Sequence, residues 1–299
     1  MDTLPMQMPL WGEIEERTSG VVNVAQIPQR SPFRYPGGKT WLVPHIRAWL
    51  RSSRRPGLFV EPFAGGGIIG LTVAFEELAD HVLMVELDEN VSALWKTILS
   101  EDSEWLMERI LTFEVTPESV RKELSRAAES EREIGFQTLL KNRTCHGGIM
   151  AAGSGVMKHG ENGRGIASRW YPQTLATRIR RITGIRDRIT FLHGDGLAAM
   201  KAHANERSTS FFLDPPYTAG KNGKRAGRRL YACNELDHDA LFALAKTLRG
   251  RFLMTYDVAD EIVSMAKSYG FDFSTVAMKN THHAQMQELL IGCDLPRLR

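Results

Sequence analysis

Short apolar runs and stretches of helical period alternate along most of this chain. Phe59-Val60, Val82 to Val85, Ile189 to His193, Ser210 to Asp214, Phe252 to Tyr256, Phe273 to Met278 and Glu288 to Cys293 read as strands. Between them, apolar residues recur with helical spacing from Thr40 to Leu50, Ile68 to about Ala79, Val91 to Leu99, Ser103 to Leu111, Pro172 to Ile182, Asp237 to Leu248 and Asp260 to Tyr269. A further helix starts at Thr116, a capping residue followed by proline at the first turn. Strand and helix in alternation predict a doubly wound α/β sheet, and two adjacent terminal strands predict a reversed hairpin at its edge.

Two segments break the alternation. Residues 1–30 are rich in Pro, Gln and Met with little periodicity, which predicts a flexible N-terminal extension. Residues 142–170 are rich in Gly, Ser and Asn, and read as a glycine-rich hairpin or loop pair between helical stretches.

Composition narrows the class. The 299 residues are 42% hydrophobic and 24% charged, enough for one large domain or one domain with an insert. No apolar stretch approaches a membrane span, and the first thirty residues lack the basic-then-apolar order of a secretory signal, so a protein that stays inside the cell is expected. Cys145, Cys233 and Cys293 are odd in number and widely spaced, which argues against a disulfide framework. The adjacent pairs Cys145-His146 and His282-His283 lack a second half to a metal site, so no metal is expected.

The net charge of +3 conceals an uneven distribution. Residues 141–190 hold ten Lys/Arg against two acids, and residues 221–229 hold five with no acid, leaving the rest of the chain acidic. A charge run is ordinarily a solvated face. Here the two runs flank one chemically distinctive strand end, Asp214-Pro215-Pro216-Tyr217.

That strand end suits a flat heterocycle bearing an amino group. Asp214 and the Pro215 carbonyl can accept the amino hydrogens, Pro215 and Pro216 stiffen the backbone, and Tyr217 can stack on the ring. Pro-Pro after a strand is by itself more often a stop signal. The sequence Phe59-Val60-Glu61-Pro62-Phe63-Ala64-Gly65-Gly66-Gly67 adds a strand, a glycine turn and a helix start, where a ligand can touch backbone. Gly65, Gly67 and Gly70 also fit G-x-G-x-x-G, with Glu86 at the distance of a ribose-binding acid, so a nicotinamide dehydrogenase is a rival on these two motifs. Gly38-Lys39-Thr40 imitates the end of a phosphate-binding loop, but Phe33 stands where the first glycine is required.

Taken together, Ser31-Pro32-Phe33-Arg34-Tyr35-Pro36-Gly37-Gly38-Lys39, the FVEPFAGGG segment at 59–67, Glu86-Leu87-Asp88 and the DPPY at 214–217 give a chain that resembles the Dam-type (D12 class) DNA adenine methyltransferases. The resemblance runs from Ser31 to the C-terminus. It implies a Rossmann-like methyltransferase fold with a mostly parallel seven-stranded sheet, a terminal reversed hairpin, and an inserted helical and hairpin target-recognition domain. It assigns 31–100 and 185–299 to the cofactor-binding catalytic part and 101–184 to the insert.

The same resemblance implies S-adenosylmethionine (AdoMet) as cofactor, held by Tyr35, Lys39, Glu61, Pro62, Phe63, Ala64, Gly65, Gly67, Glu86 or Asp88, Asp195 and Asp214. Asp214, Pro215, Pro216 and Tyr217 would act on a flipped-out adenine. Asp beside Gly is more commonly a local backbone cap, and that reading stands beside a cofactor role for Asp195. Double-stranded DNA is the implied partner, contacted by Arg143, Lys158, Arg164, Arg169, Arg178, Lys224, Arg228 and Arg229. Asn142-Arg143-Thr144 resembles the start of the family's recognition hairpin, whereas His146-Gly147-Gly148-Ile149-Met150 departs from the GATC-modifying version, so no target sequence carries over. A monomer or weak dimer in bacterial cytoplasm, host- or phage-encoded and compatible with a partner restriction endonuclease, completes the expectation. RNA adenine methylation, cytosine amino-methylation and a catalytically silent DNA-binding protein remain alternatives.

Overall fold

The computed structural model describes residues 24–34, 38–145, 160, 165–216, 236–279, 285–293 and 295. Most of the expected N-terminal extension, together with Tyr35, Lys158, Arg164, Tyr217, Lys224, Arg228 and Arg229, lies outside the described residues. Seven strands form one mixed sheet: β1 (Leu58–Glu61), β2 (His81–Glu86), β3 (Ile189–His193), β4 (Thr209–Leu213), β5 (Arg251–Asp257), β6 (Asp272–Lys279) and β7 (Gln285–Gly292). Their order is β3-β2-β1-β4-β5-β7-β6. The first five are parallel, and β7 runs antiparallel to both β5 and β6, which is the expected reversed hairpin.

The central strands are apolar because both of their faces are covered. All five residues of β4 are buried. Phe212 faces one apolar cluster, while Phe211 and Leu213 face the other. From β1 the chain builds outward through β2 and β3, then crosses back to place β4 on the other side of β1. That reversal opens a crevice between the carboxyl ends of β1 and β4, where open α/β sheets bind ligands.

Ten helices lie among the described residues: α1 (Val43–Arg51), α2 (Ile68–Phe75), α3 (Glu89–Leu99), α4 (Ser103–Thr112), α5 (Pro117–Ser125), α6 (Glu131–Thr144), α7 (Pro172–Thr183), α8 (Gly196–His203), α9 (His238–Thr247) and α10 (Asp260–Tyr269). Pro44 sits in the first turn of α1, where its missing N–H costs nothing, and a 3-10 turn over Thr40–Leu42 replaces the helix start expected there. The α2 helix stops at Phe75 and not near Ala79, because Glu77 turns left-handed at φ 51°.

Helices α4, α6 and α7, which fall in the expected insert, are continuous with the main core. Leu106, Phe136, Leu139 and Ile179 belong to the same apolar cluster as Phe59, Trp95 and Phe212. Gly135 lets α6 approach α3: a Cβ there would meet Thr97 Oγ1 at 2.8 Å and Leu94 Cα at 3.1 Å. Asn142, Arg143 and Thr144, expected from sequence to open a glycine-rich hairpin or loop pair, form the buried last turn of α6. No described helix is long and apolar enough to cross a membrane.

Candidate active site at the carboxyl ends of the central strands

The turn after β1 is built by glycines for two separate reasons. Gly65 and Gly67 take left-handed φ values of 47° and 62°, which L side chains rarely adopt. At Gly67 a Cβ would also fall 2.4 Å from Met84 Cε and 2.8 Å from Trp95 Cζ2, so the packing alone excludes a side chain. The turn is tied down by its carbonyls: Trp95 Nε1 donates to Gly65 O at 2.9 Å, and Ser31 Oγ donates to Gly66 O at 2.5 Å.

Two buried carboxylates fix the ends of this turn. Glu61 Oε2 accepts the Gly70 N–H at 2.8 Å, satisfying a donor in the first turn of α2. Burial pushes the Glu61 carboxyl up to about 8, helped by the charges of Asp214 and Glu86 and opposed by the Gly70 bond. Glu86 receives Gly65 N on Oε2 at 2.8 Å, and Leu87 N and Asp88 N on Oε1 at 2.9 Å each. Its burial raises the carboxyl above its ordinary range, while the amides from Asp88 and Gly65 pull the other way. Asp88 caps α3 through Asn90 N at 2.9 Å and Val91 N at 3.0 Å.

Asp195 caps α8, accepting Leu197 N at 2.9 Å. Gly196 beside it abuts the glycine turn, since a Cβ there would lie 2.4 Å from Pro62 O and 3.1 Å from Phe63 Cε1. The structure therefore brings Glu61, Pro62, Phe63, Glu86 and Asp195 to one rim of the sheet.

Asp214 follows β4 on the other side of the crevice, with Pro215 buried behind it. Its Oδ1 accepts the Thr255 hydroxyl at 2.8 Å and stands 3.0 Å from Lys39 Nζ. Lys39 is 3% exposed and also reaches Glu288 Oε1 at 3.5 Å. Sequence reading singled out Asp214 and Lys39 but missed Thr255 and Glu288. Thr255 is the polar break in the run Phe252 to Tyr256, and Glu288 heads the last apolar run, so each left a faint signal.

The basic residues divide. Arg143, expected on DNA, is buried, and its Nη2 donates to Pro32 O. Burial, with Arg178, Arg34 and Arg169 nearby, pushes its guanidinium down to about 9. Arg178 is half-buried and donates to Ser31 O at 2.9 Å. These two arginines clamp the segment leading to Lys39. Arg169 closes a 3-10 turn over Gly165–Arg169.

Among the described residues Glu61 feels the carboxylates Asp214 and Glu86, whereas on Glu288 the largest charge effect is the pull of Lys39, set against the push of Asp214 and Asp257. An acid-rich crevice floored by glycine backbone suits a ligand that carries positive charge and presses close to the main chain.

The family model for D12 class N6 adenine-specific DNA methyltransferases matches residues 35–282. None of the curated proteins matches the chain. Similar solved structures include a SAM-dependent methyltransferase from Agrobacterium tumefaciens, at 8% identity and TM-score 0.37, with 83% of this chain and 58% of that chain covered. Precorrin-8w decarboxylase from Methanobacterium thermoautotrophicum aligns at 12% identity and TM-score 0.34, covering 83% and 88%. Precorrin-6y C5,15-methyltransferase from Geobacter metallireducens aligns at 8% and 0.34, covering 82% and 85%.

Proposed function

Because this chain belongs to the D12 class N6 adenine-specific DNA methyltransferases, we propose that it methylates the amino nitrogen of an adenine turned out of double-stranded DNA. AdoMet is its cofactor, and when bound it supplies a methyl group activated by the sulfonium to which it is attached. The observation that carries the reading is the placement of Asp214. Its carboxylate is fixed by Thr255 and Lys39 at the end of β4, beside the strand whose end bears Glu61 and the glycine turn.

The residues present fit the cofactor. Glu86 and Asp214 offer negative charge to a sulfonium and an ammonium, Glu61 can give up its proton as that positive charge arrives, and the backbone of 62–67 provides the close surface. Glu86 and Asp88 already hold backbone N–H groups, so they shape the turns as well as facing the ribose. Asp195 is assigned to the adenine ring of the cofactor, and Tyr35 to its methionine part or its adenine. Lys39 is engaged with Asp214 and Glu288, and its role is assigned to the acceptor side of the reaction.

A stacked base cannot reach the crevice, and turning it out costs a few kcal/mol. Asp214 and the Pro215 carbonyl then accept the amino hydrogens, which aims the nitrogen lone pair toward the cofactor side, while Tyr217 stacks on the ring. Positive charge growing on that nitrogen is stabilised by the Asp214 carboxylate, a fixed acceptor needing little reorganisation. Phosphates are followed by Lys158, Arg164, Arg169, Lys224, Arg228 and Arg229, with Arg178 beside them. The deciding experiment is single-molecule sequencing of duplex DNA incubated with the protein and AdoMet. N6-methyladenine in a fixed context supports the reading; methyl groups only on cytosine, or only on RNA in a parallel incubation, would overturn it.

A further inference from the structure

One buried acid near the acceptor, Glu288, takes no part in binding the cofactor or holding the amino group. Glu288 lies on β7 with 4% of its surface exposed, and its Oε2 is buried with no hydrogen bond among the described residues. Across the β5–β7 pair it stands opposite another acid, Asp257, an arrangement that destabilises a sheet. Its Oε1 is 3.5 Å from Lys39 Nζ, the same ammonium that lies 3.0 Å from Asp214 Oδ1. A glutamine or an apolar residue would cost the fold less at this position.

We infer that Glu288 is a positioning residue for methyl transfer: by sharing Lys39 with Asp214, it offsets the lysine charge and keeps the acceptor group net negative where positive charge grows on the amino nitrogen. The inference rests on Asp214 being the acceptor. Lys39 and Asp214 alone sum to zero, and a cation 3.0 Å from the acceptor opposes a second cation forming beside it. With Glu288 ionised the three groups carry one negative charge. Lys39 is thereby kept as a rigid tether that aims Asp214, without weakening it as an acceptor.

The charge state of Glu288 falls in the working range. Burial and the charges of Asp214 and Asp257 push its carboxyl up to about 7, against the pull of Lys39. The charged groups facing this cluster among the described residues are Lys39 from the segment before α1, Asp214 from the end of β4 and Asp257 from β5, with Glu61 on β1 acting on Asp214. The ionised form of Glu288 gains population as pH rises, so its benefit to the rate grows through neutrality.

The test compares single-turnover methyl transfer by the full-length protein and its Glu288→Gln variant across pH 6 to 9, on duplex DNA with saturating AdoMet. The expected result is a loss of roughly 10- to 100-fold at pH 8.5 that shrinks by up to about 10-fold at pH 6, with AdoMet and DNA affinities within about 2-fold of wild type. In a Lys39→Met background the same substitution should have no further effect, because the charge to be offset is gone. Glu288→Asp keeps the charge and should keep the wild-type pH dependence. An unaltered rate in Glu288→Gln, a loss constant with pH, an undiminished loss in the Lys39→Met background, or a flat profile in a folded Glu288→Asp would each overturn the inference. Failure of the functional reading would look different, since the wild-type protein itself would then leave adenine in duplex DNA unmethylated.

Discussion

Asp214 and Gly67 show how much can depend on one side chain or on its absence. Asp214→Ala should reduce methyl transfer by at least roughly 100-fold, the scale on which removing one preorganised polar group costs a reaction. AdoMet binding, followed by calorimetry, should remain measurable, and full activity would reject the acceptor role. Gly67→Ala forces a Cβ into Met84 and Trp95 at a left-handed φ, and should cost about 1–3 kcal/mol of stability, read by denaturant unfolding. Tyr217→Phe should keep most of the activity that Tyr217→Ala loses, because stacking requires the ring and not the hydroxyl. Equal loss in both variants, measured as initial rates, would assign the work to the hydroxyl.

The elements were legible where apolar spacing dominates. Helices α3, α7 and α10 and strands β3 and β5 lie within about two residues of their expected bounds, since long periodic faces leave little freedom. Helix α8 gave no such pattern: Met200 and Gly196 are its buried residues, and its start depends on the cap from Asp195. The last turn of α6 was hidden for another reason. Asn142 and Arg143 read as loop chemistry, yet Asn142 Oδ1 accepts Arg34 N at 2.9 Å and its Nδ2 donates to Arg34 O at 2.8 Å, a pairing 108 residues apart. Asn142→Ala should therefore destabilise the protein by about 2–3 kcal/mol, because two backbone groups of the 31–34 segment lose their partner. A thermal melt unchanged from wild type would contradict that link between α6 and the segment leading to Lys39.

At the scale of the whole molecule the concentration of acids in the crevice has a thermodynamic consequence. Glu61 holds a proton in the folded state up to about 8, whereas in the unfolded chain it releases it near the ordinary carboxyl value of 4.5. The folded form binds more protons between those limits, so this group's contribution to stability falls as pH rises from about 4.5 through 8. Glu61→Gln should raise the melting temperature of the cofactor-free protein at pH 8 relative to pH 5, and a difference that does not grow with pH would show that Glu61 is not held protonated.

By itself the sequence determined the parts whose signal is local: the alternation of strand and helix, the glycine turn whose backbone admits little else, the proline-stiffened strand end, and the family those motifs resemble. Only the tertiary structure decided how distant charges are shared. Lys39, Asp214, Thr255 and Glu288 come from four separate segments, and no spacing along the chain encodes that one ammonium lies between two carboxylates. Arg143 illustrates the same division, since its charge is visible in the sequence while its inward course to Pro32 depends on how α6 packs. Periodicity and turn chemistry act between neighbours in the chain, whereas burial and Coulomb interaction act between neighbours in space.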